Sequence, residues 1–363
     1  MRRRLQFEYT LNIKMKRVLY LTNIEVPYRV IFFNALSTQC DLTVMYERRK
    51  SRNRDSNWSN AIRKYFAVEY LDGRTIGNEY GFSFRIISLL RKNWDVVIIG
   101  CYNSKVQMLA MAYMKTCGIP YIINIDGEPF IGTGIKACIK KFILKGAYAY
   151  LTAGVKAGDS LKAAIGSKTI SSYFFSSLTK DEIVNHANSH VKREEFILVV
   201  GQYFDYKGMD VAFKVASMDK SNHYKFIGMG TRTDIFIHDM GEIPQNIEII
   251  PFLQKNELEM EYQKCAMLLL PTRQECWGLV VNEAASFGTP IVSTWGSGAA
   301  VEILSDMYPQ YLAPPGDADS LLACVYNCRA NDNKEYSAYL KRISEQYTIE
   351  RNVKVHLNVI ESI

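Results

Sequence analysis

Short runs of β-branched and aliphatic residues recur along this chain, each followed by a segment of helical periodicity, and that alternation leaves few architectures open. In the first half the runs occupy residues 18–22, 41–46, 95–100, 120–124, 147–152 and 169–174; in the second, 196–201, 224–228, 246–251, 266–271 and 289–294. Segments 29–37, 104–117 and 134–144 lie between runs of the first half and carry amphipathic spacing. A strand with one wet face alternates apolar and polar residues. Runs such as Val96-Val-Ile-Ile99 are apolar throughout, which predicts parallel strands covered by helices on both faces. At 363 residues the chain exceeds the roughly 250–300 that a single core serves. Two consecutive sets therefore predict an α/β protein of two Rossmann-like domains. The polar stretch 176–195 (SSLTKDEIVNHANSHVKREE) separates the sets, with the seam near residue 185. The expected units are 15–185, 186–346 and a terminal helix over 347–363, where Ile349, Val353, Leu357 and Ile360 keep helical spacing and no strand follows.

Composition removes several classes. With 48% apolar and 22% charged residues the chain has the balance of a folded protein, not a disordered one. No apolar run reaches the length of a membrane-spanning helix. The opening MRRRLQFEYTLNIKMKR is basic without an apolar centre, so it is not a secretory signal. Residues 1–14 read either as a poorly ordered extension or as a start placed upstream of Met15. The eight cysteines form no CxxC, which predicts reduced, mostly buried thiols and a cytoplasmic location. Five histidines without paired Cys/His spacing argue against zinc. Asp317-Ala-Asp319 follows Pro314-Pro-Gly316 and reads as a helix cap, so no metal is expected. No glycine follows the first strand, which argues against a dinucleotide oxidoreductase, and the Gly132-Thr-Gly134-Ile-Lys-Ala137 match does not close that strand. The net charge of +7 allows an anionic partner without naming one, and nothing points to nucleic acid.

Ligands of open α/β sheets bind beyond the carboxyl ends of the strands, and three loops there are chemically unusual. In Gly201-Gln-Tyr-Phe-Asp-Tyr-Lys207-Gly208, Gly201 permits a sharp exit from the strand. Lys207 then stands at a helix N-terminus, against the dipole unless an anion shares the place. In the segment from Pro271 to Glu283, Gly278 opens a helix that closes at Gly288. Glu283 lies among Val280, Val281, Ala284 and Ala285, an apolar setting that implies a ligand or partner for the acid. Glu275 precedes it by eight residues. The amides of Gly278, Leu279 and Val280 and the two carboxylates then face one cleft, a combination suited to the phosphates and hydroxyls of a nucleotide sugar. In Thr294-Trp-Gly-Ser-Gly298, the glycines Gly296 and Gly298 allow close approach of backbone to a ligand.

In this order, over residues 196–303, these features resemble the nucleotide-binding domain of glycosyltransferase family 4, retaining enzymes of GT-B fold. The features are Val200-Gly201…Lys207-Gly208, Gly228-Met-Gly230, the E-x7-E pair Glu275 and Glu283 around Gly278, and Gly296…Glu302. The first half is similar more loosely, through its α/β order and the loop Pro27-Tyr28-Arg29…Phe33-Asn34. The resemblance implies an acceptor-binding first domain, a nucleotide-sugar-binding second domain, a central cleft between the sheets, and a terminal helix crossing back onto the first domain. It implies that Glu283 binds the donor ribose, Glu275 the transferred sugar, Lys207 the diphosphate, and the amides of 278–280 the distal phosphate. The main chain near Phe252 and Leu253 would meet the base. Gln202 stands where the family often has arginine; Arg273 or Arg29 could compensate. In place of a histidine after the fourth long run stands Asp126-Gly127-Glu128. Asp126, with Tyr28 and Arg29, is the expected polar group near the sugar or acceptor hydroxyl; a plain Asp-Gly turn is as good a reading.

The function these readings imply is retaining transfer of a hexose, without a metal, from a UDP- or GDP-sugar to a saccharide or polyprenyl-diphosphate-linked saccharide in bacterial surface polysaccharide synthesis. A sugar-nucleotide epimerase of the same fold and a non-catalytic partner subunit are the alternatives. Two basic segments, Arg48-Arg-Lys50…Arg52…Arg54 and Lys136…Lys140-Lys141…Lys145, read as solvated faces or as peripheral contacts with an anionic membrane.

Overall fold

Each of the apolar runs contains a strand, and each strand is parallel to its neighbours. A computed structural model of the chain describes residues 15–49, 63–76, 80–127, 134–166, 169–189 and 191–363. The extension 1–14, the basic positions Lys50, Arg52 and Arg54, and Glu128 and Gly132 lie outside the described residues. The first sheet is built from β1 (Arg17–Thr22), β2 (Asp41–Tyr46), β3 (Ala67–Tyr70), β6 (Val96–Ile99), β7 (Tyr121–Ile125), β8 (Ala149–Ala153) and β9 (Ile170–Tyr173), in the order β3-β2-β1-β6-β7-β8-β9. A small antiparallel hairpin, β4 (Arg74–Ile76) and β5 (Tyr80–Phe82), follows β3. Helices α1 (Pro27–Leu36), α2 (Arg85–Leu90), α3 (Lys105–Cys117), α4 (Gly134–Leu144) and α5 (Val155–Ile165) complete this half, and α6 (Lys180–Ala187) follows it. Val96, Val97, Ile98 and Ile99 have no exposed surface, each such side chain contributing about 1.5–3 kcal/mol.

The second sheet runs β12-β11-β10-β13-β14-β15, from β10 (Phe196–Val200), β11 (His223–Ile227), β12 (Ile247–Ile250), β13 (Met267–Leu270), β14 (Ile291–Thr294) and the short β15 (Leu312–Ala313). Its helices are α7 (Met209–Met218), α8 (Thr233–Met240), α9 (Lys255–Lys264), α10 (Leu279–Ser286), α11 (Gly298–Leu304), α12 (Ala318–Ala330) and α13 (Lys334–Ser344). Asp317 caps α12 by accepting from the Ser320 amide at 3.0 Å, so the Asp317-Ala-Asp319 segment starts a helix as expected. In both sheets the strand order steps outward from the first strand in two directions, which leaves a crevice at the carboxyl ends.

Two chain crossings run side by side between the sheets. Thr179 and Glu182 form a reciprocal capping box at the start of α6, which packs on α10. The returning segment meets the outgoing one where Ser176 Oγ donates to the Tyr347 carbonyl at 2.6 Å and the Ile349 amide to the Leu178 carbonyl at 2.9 Å. Helix α14 (Ile349–Glu361) then lies against α1 and β9. The terminal helix thus crosses back onto the first half, and the whole has the GT-B arrangement of two Rossmann-like domains.

All eight cysteines are free, but Cys117, Cys138 and Cys276 are exposed, against the expectation of mostly buried thiols. They sit in the last turn of α3, within α4 and in a cleft loop, positions that sequence periodicity does not mark. No helix among the described residues is long and apolar enough to cross a membrane.

Candidate active site

The Gly201–Gly208 loop begins where β10 ends. Gly201 has ordinary backbone and a Cβ there would only touch Met209 Sδ at 3.5 Å, so the strand exit does not require glycine as expected. The requirement falls on Gly208. Its φ is +68°, and a Cβ would lie 2.1 Å from the Pro271 carbonyl oxygen. The turn Asp205–Lys207 is thereby pressed onto the exit of β13, and the Lys207 ammonium reaches the Glu275 carboxylate. Both side chains are about four-fifths buried, at 21% and 16% exposure. Glu275 Oε2 is buried without a partner.

Gly278, at φ +107°, turns the chain into α10, and no side chain caps this helix. Its first-turn amides, those of Leu279 and Val280 among them, belong to the set that a helix leaves without an intrahelical partner. A Cβ on Gly278 would come within 3.4 Å of Glu275 Oε2, so the acid and the helix start share one small space. Glu283, one turn along α10, accepts from Ser177 Oγ at 2.7 Å and from Tyr262 OH at 3.0 Å. The partner that its apolar setting demanded is thus protein, one bond to each oxygen, and each carboxylate oxygen keeps acceptor capacity. Phe252 and Leu253 follow β12, half-buried, where the Gly230 amide ties the Gly228–Gly230 loop to the Pro251 carbonyl at 2.7 Å. Packing alone requires glycine at 296 and 298: a Cβ on either would strike the carbonyl of Arg273 or Cys276, at 2.3 and 2.2 Å.

Neither arginine offered for Gln202 is available to replace a cation there. Arg273 holds Asp210 through two bonds, 2.8 and 2.6 Å, and donates to the Asp205 carbonyl. Arg29 is committed to Asp126 and to Thr22 Oγ1. The arginine that packs on the Gln202 segment is Arg232, over the Phe204 ring at 4.3 Å and donating to the Tyr203 carbonyl at 2.9 Å. Sequence reasoning missed it; its place just after the Gly228–Gly230 loop is the only signal.

Across the cleft, Asp126 follows β7. It pairs with Arg29 and accepts from Tyr173 OH at 3.0 Å. Burial is the strongest influence on Arg29 and opposes its charge, but Asp126 together with Tyr28, Tyr20 and Cys101 overcomes it and holds the guanidinium protonated. Held by Arg29 and Tyr173, Asp126 is a fixed acceptor with 31% of its side chain exposed. Tyr28, beside Arg29 on α1, packs edge-on to Phe175. Glu47, at the end of β2, was also missed. It is buried, accepting from Gln107 Nε2 at 2.8 Å and the Gly81 amide at 3.1 Å, and burial raises its pKa. It anchors the β4–β5 hairpin to the cleft edge of the first sheet.

The two halves meet at this point. A Cβ on Gly127 would lie 2.8 Å from Cys276 Sγ. Cys276 keeps exposed surface, but the protein packed around its thiol, and then the charges of Asp126 and Glu275, push the thiol up to about 11. Carboxylates from the two halves thus act on one atom. Among the described residues no group of three His, Cys, Asp or Glu side chains is placed to hold a metal ion.

Residues 181–325 match the family pattern of glycosyl transferases group 1. An uncharacterized glycosyltransferase of Methanocaldococcus jannaschii is 26% identical over 249 residues, 65% of this chain and 66% of that protein. An uncharacterized 41.2 kDa protein in the cps region of Klebsiella pneumoniae is 27% identical over 137 residues, 37% of either chain. These matches span from about a third to just under two thirds of the relatives' lengths. Among solved structures, Anabaena HepE in complex with UDP superposes with a TM-score of 0.73 at 11% identity, covering 96% of this chain and 100% of that one. At that identity the likeness concerns the fold. The match to glycosyl transferases group 1 thus falls on residues 181–325, most of the second half of a GT-B scaffold.

Proposed function

We propose that the chain is a retaining glycosyltransferase that moves a hexose from a UDP- or GDP-sugar to a saccharide or polyprenyl-diphosphate-linked saccharide in surface polysaccharide synthesis. The observation that carries the reading is the meeting of Lys207, Glu275 and the uncapped start of α10 with the Arg29–Asp126 pair at the Gly127–Cys276 contact. Lys207 exchanges Glu275 for the donor diphosphate, whose distal phosphate lies against the amides of Leu279 and Val280. Glu283 receives the ribose hydroxyls and Glu275 those of the sugar. As the bond from the anomeric carbon to the diphosphate breaks, negative charge grows where Lys207 and the amides point, and each such donor is commonly worth ~10²–10³ in rate. Asp126 accepts a hydrogen bond from the acceptor hydroxyl and orients its oxygen toward the anomeric carbon. The proton leaves with the diphosphate oxygen. Among the described residues no carboxylate is placed as a nucleophile, which suits displacement on one face of the sugar. HepE binds UDP, which favours UDP, and the capsule-region relative favours a surface glycan.

Calorimetric titration with UDP and GDP tests this on wild type, Lys207→Ala and Glu283→Gln. Wild type is expected to bind one nucleotide saturably. Loss of charge-assisted bonds at about 1.5–3 kcal/mol each should weaken binding about 100-fold in Glu283→Gln. Absence of binding at millimolar nucleotide would remove the enzyme reading.

A further inference from the structure

Helix α4 is apolar on the side that faces water. Ile135, Ile139 and Phe142 are 81%, 53% and 64% exposed. At 3.6 residues per turn their i, i+4, i+7 spacing confines them to a sector of about 60°, roughly opposite Ala137 and Leu144, which are buried in the domain. Helices of soluble proteins place such residues inward. Lys145 is exposed about 60° from the edge of the stripe and Lys141 is exposed further round the helix, about 100° from it, and Lys115 of α3 holds its ammonium 3.1 Å from the centre of the Phe142 ring. Helix α4 contains no acidic residue. An apolar stripe with lysines further round the helix complements a surface of acyl chains under anionic headgroups; a protein partner would more commonly meet aromatic and arginine anchors within a polar rim.

The stripe also lies near the cleft. Gly134 opens α4 seven residues after Gly127, and seven extended residues span at most ~24 Å. We infer that the α4 face of Ile135, Ile139 and Phe142, with Lys141 and Lys145, docks on an anionic bilayer and holds the cleft mouth at the membrane surface. This deepens the proposed function, on which it rests for its meaning: an acceptor at the cleft would be anchored in that bilayer, with its saccharide reaching Asp126 while its lipid stays in the leaflet.

Sedimentation with vesicles tests the surface without any assay of activity. Wild type is expected to pellet with phosphatidylcholine vesicles containing about a third phosphatidylglycerol, to stay in solution with pure phosphatidylcholine, and to be released by high salt. Ile139→Gln with Phe142→Gln, and separately Lys141→Gln with Lys145→Gln, should each weaken binding at least ~10-fold. All four positions are exposed, so nucleotide binding and melting should remain those of wild type. Wild type left in solution with anionic vesicles at low salt would overturn the inference, as would pelleting unaffected by Ile139→Gln with Phe142→Gln. A dimer in light scattering that the same pair of substitutions dissolves would assign the face to a second copy, and would overturn it too. Nucleotide binding, read separately, tells failure of this surface from failure of the enzyme reading.

Discussion

His356 should make the strap between the two halves sensitive to acid. It lies on α14, 1% exposed, with its ring 4.7 Å from Phe32 and 5.1 Å from Tyr173. Nδ1 faces the Asn352 carbonyl at 2.9 Å, and Nε2 has no partner. Burial, reinforced by the nearby Arg29 charge and only partly countered by the Asn352 carbonyl, lowers its pKa from 6.5 to about 4. Between those values the unfolded chain holds a proton that the folded chain refuses. The stability tied to a neutral His356 is therefore complete above about pH 6.5 and is lost as pH falls toward 4. Each tenfold difference in proton affinity is about 1.4 kcal/mol, so the loss is capped at about 3 kcal/mol and amounts to about 2 kcal/mol at pH 5. Urea unfolding at about pH 7.5 and pH 5, followed by tryptophan fluorescence, measures it. His356→Gln removes the titration, so its curves should converge toward wild type on acidification, by about 2 kcal/mol. Parallel pH dependence of the two proteins would refute the assignment.

Two further substitutions probe the cleft from its opposite walls. Gly208→Ala forces a side chain into a left-handed backbone, about 1–2 kcal/mol before any clash, and sets its Cβ against the Pro271 carbonyl. A melting point lowered by several degrees, together with loss of nucleotide affinity, is expected; a normal melt would show the loop free to shift. Asp126→Asn leaves Arg29, 8% exposed, without its counter-charge, at a cost of about 3 kcal/mol. Thermal unfolding reads that cost, and turnover should fall while UDP or GDP affinity stays that of wild type.

Parallel sheets write themselves plainly into sequence because both faces are buried: Phe196–Val200 and Val96–Ile99 admit no other reading. The edges do not. β3 is only half-buried along most of its length and reads Ala-Val-Glu-Tyr; β15 is two residues long. The hairpin β4–β5 is fastened by Glu47, which in sequence looks like one more charge beside Arg48 and Arg49. Its burial is a property of Gln107 and Gly81, sixty and thirty-four residues away. Glycines misled for a related reason. A glycine that only bends the chain and one crowded by a distant carbonyl are the same letter, and only packing shows that the requirement falls on Gly208 and not on Gly201, and that Gly296 and Gly298 are crowded as well. Helix α4 shows the opposite failure: its amphipathic spacing was legible, but not that the apolar Ile135, Ile139 and Phe142 face out.

The position of Glu283 explains why the two halves have to be considered together. Its Oε1 is held by Ser177, on the segment leaving the first sheet, and its Oε2 by Tyr262 of the second. Trp277, two residues after Glu275, lies 5.4 Å from Phe174 and 5.9 Å from Tyr347, one on each crossing. Asn282 donates to the Phe175 carbonyl at 2.7 Å. Both acids of the E-x7-E pair are thus tied to the crossings through their own helix and loop. A rotation of one half on the other cannot leave them in place, because interiors packed to this density repack in discrete steps instead of deforming smoothly. A ligand seated on Glu275 and Glu283 therefore bears on the angle between the domains, and the same angle sets how near Asp126 comes to the donor. In the proposed function, donor and acceptor sites would be coupled by these shared side chains.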